Sequence, residues 1–141
     1  LSDLIEGIEQ LREKYNKLSD ELYIKQQELE KKRKEEIIKV SKNILSIVDQ
    51  LDVINRYATE VKDKNLKNIL EITYKQVSSQ LNSIGIEEIQ CKGQLLNPYL
   101  HKCVQVIESF GRQKEEIVEV IQKGYLLNGE VLRYASVIIA K

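Results

Sequence analysis

Apolar positions from Leu1 to Leu29 repeat in heptads. Leu1, Ile8, Tyr15, Leu22 and Leu29 fill one seam position, and Leu4, Leu11 and Leu18 fill the other. Alternating spacings of four and three residues keep the apolar stripe of one helix against a second helix. The second position turns polar at Lys25 and Lys32, and the run EKKRKEE, Glu30–Glu36, carries no seam residue. That run is either a solvated face held by i,i+4 pairs or a set of bases exposed for a partner. The stripe returns at Val40, Ile44, Ile47, Leu51, Ile54, Ala58 and Val61, widened by Ile37, Ile38, Leu45 and Val48 beside it. Leu29 and Ile37 lie eight residues apart rather than seven, so the register skips and a supercoil should loosen there. A wide stripe is a bundle face rather than a two-stranded seam. No Pro or Gly interrupts residues 8–84, and the pattern predicts one helix to Val61, roughly 90 Å long at 1.5 Å per residue. Such a helix cannot bury its own stripe, so a dimer is expected.

The polar segment KDKNLKN, Lys62–Asn68, reads as a helix–helix connection. A second helix follows, with Leu66, Ile69, Leu70, Thr73, Val77, Leu81 and Ile84 on its inner face and Gly85 as its stop. Two such hairpins would cover each other's stripes as a four-helix bundle. Beyond Gly85 the period shortens. A brief strand is expected at Ile86–Cys91, ended by Gly93. Asn97 is placed to cap a short turn whose first position is Pro98, where the missing N–H costs nothing. KCVQVIE then reads as a strand with Cys103 packed inside, and Gly111 marks a turn. Asn128-Gly129 between two β-rich runs is the strongest local signal, since both residues tolerate the positive φ of a two-residue hairpin loop. Gly124 marks either a bulge or a close backbone approach. The expected organisation is a long coiled-coil helix over 1–39, a helical hairpin over 40–85 and a small β-domain over 86–141.

Composition narrows the function. The 141 residues carry 22 basic and 22 acidic side chains, so net charge is zero and no general attraction to nucleic acid or membrane follows. Charged residues make up 31% and aromatic residues 6%, a bias toward long solvated helices over a thick core. Two cysteines, Cys91 and Cys103, are too few for a disulfide framework and fit a reducing, cytoplasmic setting. No apolar run approaches the ~18–20 residues that span a bilayer, and no stretch reads as a signal peptide. The chain starts at Leu1 without a methionine, and a more disordered segment is expected ahead of it.

Catalytic chemistry finds little support. His101 is the only histidine; a metal or Cys–His site with Cys91 or Cys103 would need further ligands or an orienting group, and none has suitable spacing. Phosphate loops and acid/base clusters are also absent. No cofactor, metal or catalytic residue is expected, and His101 reads as a structural residue in a turn. Arg133, amid apolar strand residues, either pairs with a local carboxylate or faces a partner. Tyr125 reads as core. Ile121 and Ile139 are expected to form an exposed apolar patch.

Two stretches carry a family resemblance. LNPYLH, Leu96–His101, followed by GYLLNGEVLRYASVIIA from Gly124, resembles the signature of the GrpE family, nucleotide-exchange factors of DnaK-type chaperones. The matching positions are Leu96, Asn97, Pro98 and His101, then Gly124, Tyr125, Asn128, Gly129, Leu132, Arg133, Ala135, Val137 and Ile139. ILSIVDQLDVI, Ile44–Ile54, is similar to the family's bundle segment. Three positions depart from the pattern: Cys103 replaces a usual Ala, Glu130 stands where many members carry a contact Arg, and Val53 replaces a common Arg, with Arg56 one turn later.

The resemblance implies an α+β fold: a long coiled-coil helix, a helical hairpin forming a dimeric four-helix bundle, and a small C-terminal β-wing. It implies parallel pairing through Leu4, Ile8, Leu11, Leu18, Leu22, Ile44, Ile47, Leu51 and Ile54. It further implies contact with a chaperone ATPase domain through Ile121, Gln122, Glu130, Arg133 and Ile139, with Lys25, Lys31 and Arg33 on the long helix. Asn97, Pro98, Gly124, Asn128 and Gly129 would serve turns. The implied activity is accelerated ADP release by a homodimer. Melting of the long helices would sense temperature, and the polar break Lys25–Glu36 is where fraying is expected. A coiled-coil scaffold with an unrelated β-domain ligand is the alternative, and it predicts no effect on nucleotide release.

Overall fold

The computed structural model describes residues 1–141, with the side chain of Val61 excepted. Val61 as the last stripe position therefore lies outside the described residues. Helix α1 spans Ser2–Val61 and helix α2 spans Lys64–Ser83. Six strands follow: β1 Ile86–Glu88, β2 His101–Ile107, β3 Ile117–Gln122, β4 Tyr125–Leu127, β5 Glu130–Arg133 and β6 Ala135–Ala140. The fold is α+β, as the period changes predict. It divides into two compact units, Leu1–Val40 and Ser41–Lys141.

In the unit Leu1–Val40 the heptad residues Leu4, Ile8, Leu11, Leu18 and Leu22 are all exposed. Exposed apolar side chains at this spacing are an unmet demand for burial.

In the unit Ser41–Lys141 the wide stripe of α1 is divided between two uses. Leu45 and Val48 are buried with Leu81 of α2, Ile86 of β1, Tyr125 of β4 and Leu132 of β5. Each fully buried side chain of this kind contributes about 1.5–3 kcal/mol. Ile44 is half-buried against this cluster and Leu51 is half-buried, while Ile47 and Ile54 remain exposed. A second core forms within the β-domain from Ile89, Cys91, Ile117, Ala135, Val137 and Ile139.

Connection and strand lengths differ from the expectation. The link between helices is Lys62–Asp63, not Lys62–Asn68. Asp63 caps α2 by accepting hydrogen bonds from the Asn65 and Leu66 N–H groups at 3.0 and 3.2 Å. The polarity of residues 64–68 thus marks an exposed first turn rather than a break. Strand β1 stops at Glu88 instead of Cys91, because its partner β4 is only three residues long. The next amide, Ile89 N–H, donates to the Gly124 carbonyl at 2.8 Å.

The two β-rich runs each split between two sheets, ordered β1-β4-β5 and β2-β6-β3. Strand β6 is central, parallel to β2 and antiparallel to β3. This position overturns two expectations. Ile139, predicted in an exposed patch, is 6% exposed in the second core, since a central strand packs one face against the interior. Cys103, predicted inside, is exposed, since β2 is an edge strand whose register shifts between Cys103 and Gln105.

The turns follow the sequence signals. Asn128 and Gly129 join β4 to β5 with φ of 50° and 85°, the double positive φ of a tight hairpin loop. Asn128 N–H also donates to the Gly85 carbonyl at 2.8 Å, tying the hairpin tip to the end of α2. At Asn97 the side-chain oxygen accepts from Tyr99 N–H at 3.0 Å, and the carbonyl accepts from Leu100 and His101 N–H groups at 3.0 and 2.8 Å.

Candidate partner-binding site

The fold assembles a polar joint between helices and β-domain, with the contact candidates Ile121 and Gln122 at its edge. Asp49, Asp52 and Arg56 lie three and four residues apart on α1, which places them on one helical face. Arg133 of β5 forms two parallel hydrogen bonds to Asp49, Nη1 to Oδ2 and Nη2 to Oδ1, both 2.8 Å. Its Nε and Nη2 also donate to the Lys123 carbonyl at 3.0 and 2.6 Å. Arg133 pairs with a carboxylate, as one of its two sequence readings has it, but that carboxylate is 84 residues away rather than local. Such a fork fixes orientation as well as distance.

Lys123 sits beside it. Its Nζ lies 3.3 Å from Asp52 and 3.6 Å from Glu88, and 4.1 Å from the centre of the Tyr74 ring. The same ammonium donates to the Tyr74 hydroxyl, which in turn donates to Asp52. Burial, then the Asp52 hydrogen bond and charge, push the Tyr74 hydroxyl pKa far above its ordinary value, so it stays protonated and keeps donating. Tyr125 is likewise raised by burial first and Glu88 next. On the other side, Arg56 reaches the carbonyls of Val120 and Ile121 at 3.3 and 3.1 Å.

Around this joint the candidate residues separate. Ile121 is 43% exposed at the end of β3, and Gln122 is exposed with its amide 3.4 Å from Asp49. Glu130 is exposed at the hairpin. Ile139 is buried and cannot join them, as given above. Lys25, Lys31 and Arg33 are exposed on α1 in the unit Leu1–Val40. Sequence reading missed Asp49, Asp52, Tyr74, Glu88 and Lys123. The available signal was the Asp49–Asp52–Arg56 spacing, which lines charged groups along one flank of a helix that also carries the apolar stripe.

His101 is 4% exposed, and its Nδ1 accepts from Asn97 N–H at 2.9 Å. That bond assigns the proton to Nε2 and makes the ring neutral. Burial holds its pKa below the ordinary value, partly opposed by the Gln90 backbone. Cys91 is raised by burial, then by Glu88, and its thiol donates to the Ile89 carbonyl at 3.3 Å. Among the described residues no group of three or more His, Cys, Asp and Glu side chains could hold a metal ion, and no helix is long and apolar enough to cross a membrane.

The family model described as GrpE matches residues 1–141. A "Protein GrpE" of Glaesserella parasuis serovar 5 is 36% identical over 115 residues, 82% of this chain and 57% of that protein. One from Latilactobacillus sakei is 31% identical over 144 residues, 94% of this chain and 72% of its own length. One from Methanosphaera stadtmanae is 35% identical over 113 residues, 78% and 65% of the two lengths. This chain thus spans 57% to 72% of the relatives' own lengths. With a match from the first residue to the last, on a fold whose turns and wing agree with the signature, the chain belongs to the GrpE family.

Proposed function

We propose that this protein is a cytoplasmic, homodimeric co-chaperone that binds the ATPase domain of a DnaK-type chaperone and accelerates ADP release. Membership of the GrpE family across all 141 residues is the observation that carries this reading. The exposed stripe Leu4, Ile8, Leu11, Leu18 and Leu22 supports the dimer, because apolar side chains at coiled-coil spacing gain burial only from a second helix. Exposed Ile47 and Ile54 would extend the same interface into a four-helix bundle made with the partner's hairpin. In this reading residues 1–39 are the coiled coil, 40–85 half of the bundle and 86–141 the wing.

No group on this chain needs to do covalent chemistry. A protein that binds an open ATPase domain more tightly than the closed, ADP-bound one must weaken ADP binding by the same factor, typically a coupling of about 1–3 kcal/mol. Ile121, Gln122 and Glu130 form the wing face of the contact, with Lys25, Lys31 and Arg33 as bases on the long helix. Neither nucleic acid nor membrane enters the scheme.

The test is stopped-flow release of a fluorescent ADP from a DnaK-type ATPase, with and without the full chain. Release that speeds up saturably with added protein is the expected result. Unchanged release without a complex on sizing removes the proposal. A complex that leaves release unchanged would make the chain an adaptor.

A further inference from the structure

The helices and the wing are joined by little chain: α2 ends at Ser83, Ile84 caps it, Gly85 turns at φ 90°, and β1 begins at Ile86. Two residues cannot hold a domain at a set angle. The apolar contact between them, built from Leu45, Val48, Leu81, Ile86, Tyr125 and Leu132, is attractive but non-directional. Direction comes from the Asn128 N–H bond to the Gly85 carbonyl at the helix end and, further along α1, from the polar joint.

We infer that Asp49, Asp52 and Arg56 of α1, with Arg133 and Lys123 of the wing, are positioning residues that lock the wing's angle to the helices and so stiffen the element that would press on the partner. This rests on the exchange-factor reading for its consequence, though not for its geometry. Three anchors lie along the face: the Asp49–Arg133 fork, the Lys123–Asp52–Tyr74 cluster and the Arg56 grip on two β3 carbonyls. Anchors spaced along a helix resist both swivel and tilt, which one pair could not do. The clasp also holds the expected contact segment directly. Arg56 binds the Ile121 carbonyl, and the Gln122 amide reaches Asp49. Arg133 on this account acts by positioning rather than by touching the partner, since four of its five N–H donors are committed to Asp49 and the Lys123 carbonyl.

The test compares wild type, Asp49→Asn and the swapped pair Asp49→Arg/Arg133→Asp, each as the full chain. Cys103, exposed on β2, takes a fluorescent dye, and time-resolved anisotropy then reports independent wing motion without any partner. Fluorescent-ADP release is measured over a range of protein concentrations, separating maximal rate from half-saturation. Asp49→Asn is expected to loosen the wing and lower the maximal rate at least about fivefold, the low end of ordinary coupling, with half-saturation changed less than about twofold. The swap is expected to recover stiffness and most of the maximal rate, which a direct contact role for Arg133 would not allow.

An unloosened wing in Asp49→Asn overturns the inference. So does a loss confined to half-saturation, or global unfolding of that variant, which would assign the pair to stability. Wild type that fails to speed release sinks the exchange reading instead, and the anisotropy still decides whether the clasp sets wing stiffness.

Discussion

Gly124→Ala is the sharpest single perturbation of the β-domain. A Cβ at this position would lie 2.3 Å from the Ala135 backbone nitrogen and 2.8 Å from both Ala135 Cα and the Tyr134 carbonyl carbon. Ordinary carbon contacts sit near 3.5–4.0 Å, so one backbone would have to retreat by roughly 1 Å or more. Neither side can retreat freely. The Gly124 carbonyl accepts from Ile89 N–H at 2.8 Å, and Ala135 N–H donates to the Leu100 carbonyl at 3.1 Å. Ala135 itself is fully buried in the second core. Overpacking costs about 1–3 kcal/mol, and each strained hydrogen bond adds about 0.5–1.5 kcal/mol, for a total near 3 kcal/mol. For a folding unit near a hundred residues that is a fall in Tm of about 10 °C or more. Thermal unfolding followed by tyrosine near-UV circular dichroism reads it. Gly7→Ala is the internal control: nothing lies within 4 Å of that Cβ, in the interior of α1, so the change should stabilise the helix by about 1 kcal/mol. A Gly124→Ala protein melting within about 2 °C of wild type would refute the close-approach argument.

Two further outcomes follow from the same structure. The neutral His101 has a folded pKa below its unfolded value of about 6.5, so its contribution is complete above that pH and is lost as pH falls through the folded value. Urea midpoints should therefore drop more from about pH 7 to about pH 5 in wild type than in His101→Gln; equal slopes would contradict a buried neutral ring. Leu18→Lys places a charge on the exposed heptad stripe, where a lone helix would tolerate it. If two chains pair there, each copy forfeits about 1.5–3 kcal/mol of burial, and sedimentation should show dissociation at micromolar concentration with lower helix content. Sedimentation and helix content identical to wild type would rule out pairing at this position.

Local features of this protein were legible because their causes are local. Heptad spacing, the absence of Pro and Gly over residues 8–84, the Gly85 stop and the Asn128-Gly129 loop each reflect steric or periodic preferences acting within a few residues. Tyr125 read as core for the same reason and is buried. The link Lys62–Asn68 was misread because polarity reports solvent exposure, and an exposed first turn is as polar as a loop. Of the polar joint, the sequence singled out Arg133 and Gln122 but not the side chains that hold them. The joint's organising pairs, Asp49–Arg133 and Asp52–Lys123, join side chains far apart in sequence.

Sequence alone therefore determined the two helices followed by β-rich segments, the Asn128-Gly129 turn and the stripe that asks for a second helix, but not the splitting of each β-rich run into two strands. Tertiary structure decided which strand lies at the centre of its sheet, and with it that Ile139 is buried and Cys103 exposed. It also decided which flank of α1 meets the wing and which carboxylate receives Arg133. The physical reason is one of range: backbone preferences and periodicity act between neighbours, whereas strand order and ion pairing depend on what the folded chain brings together.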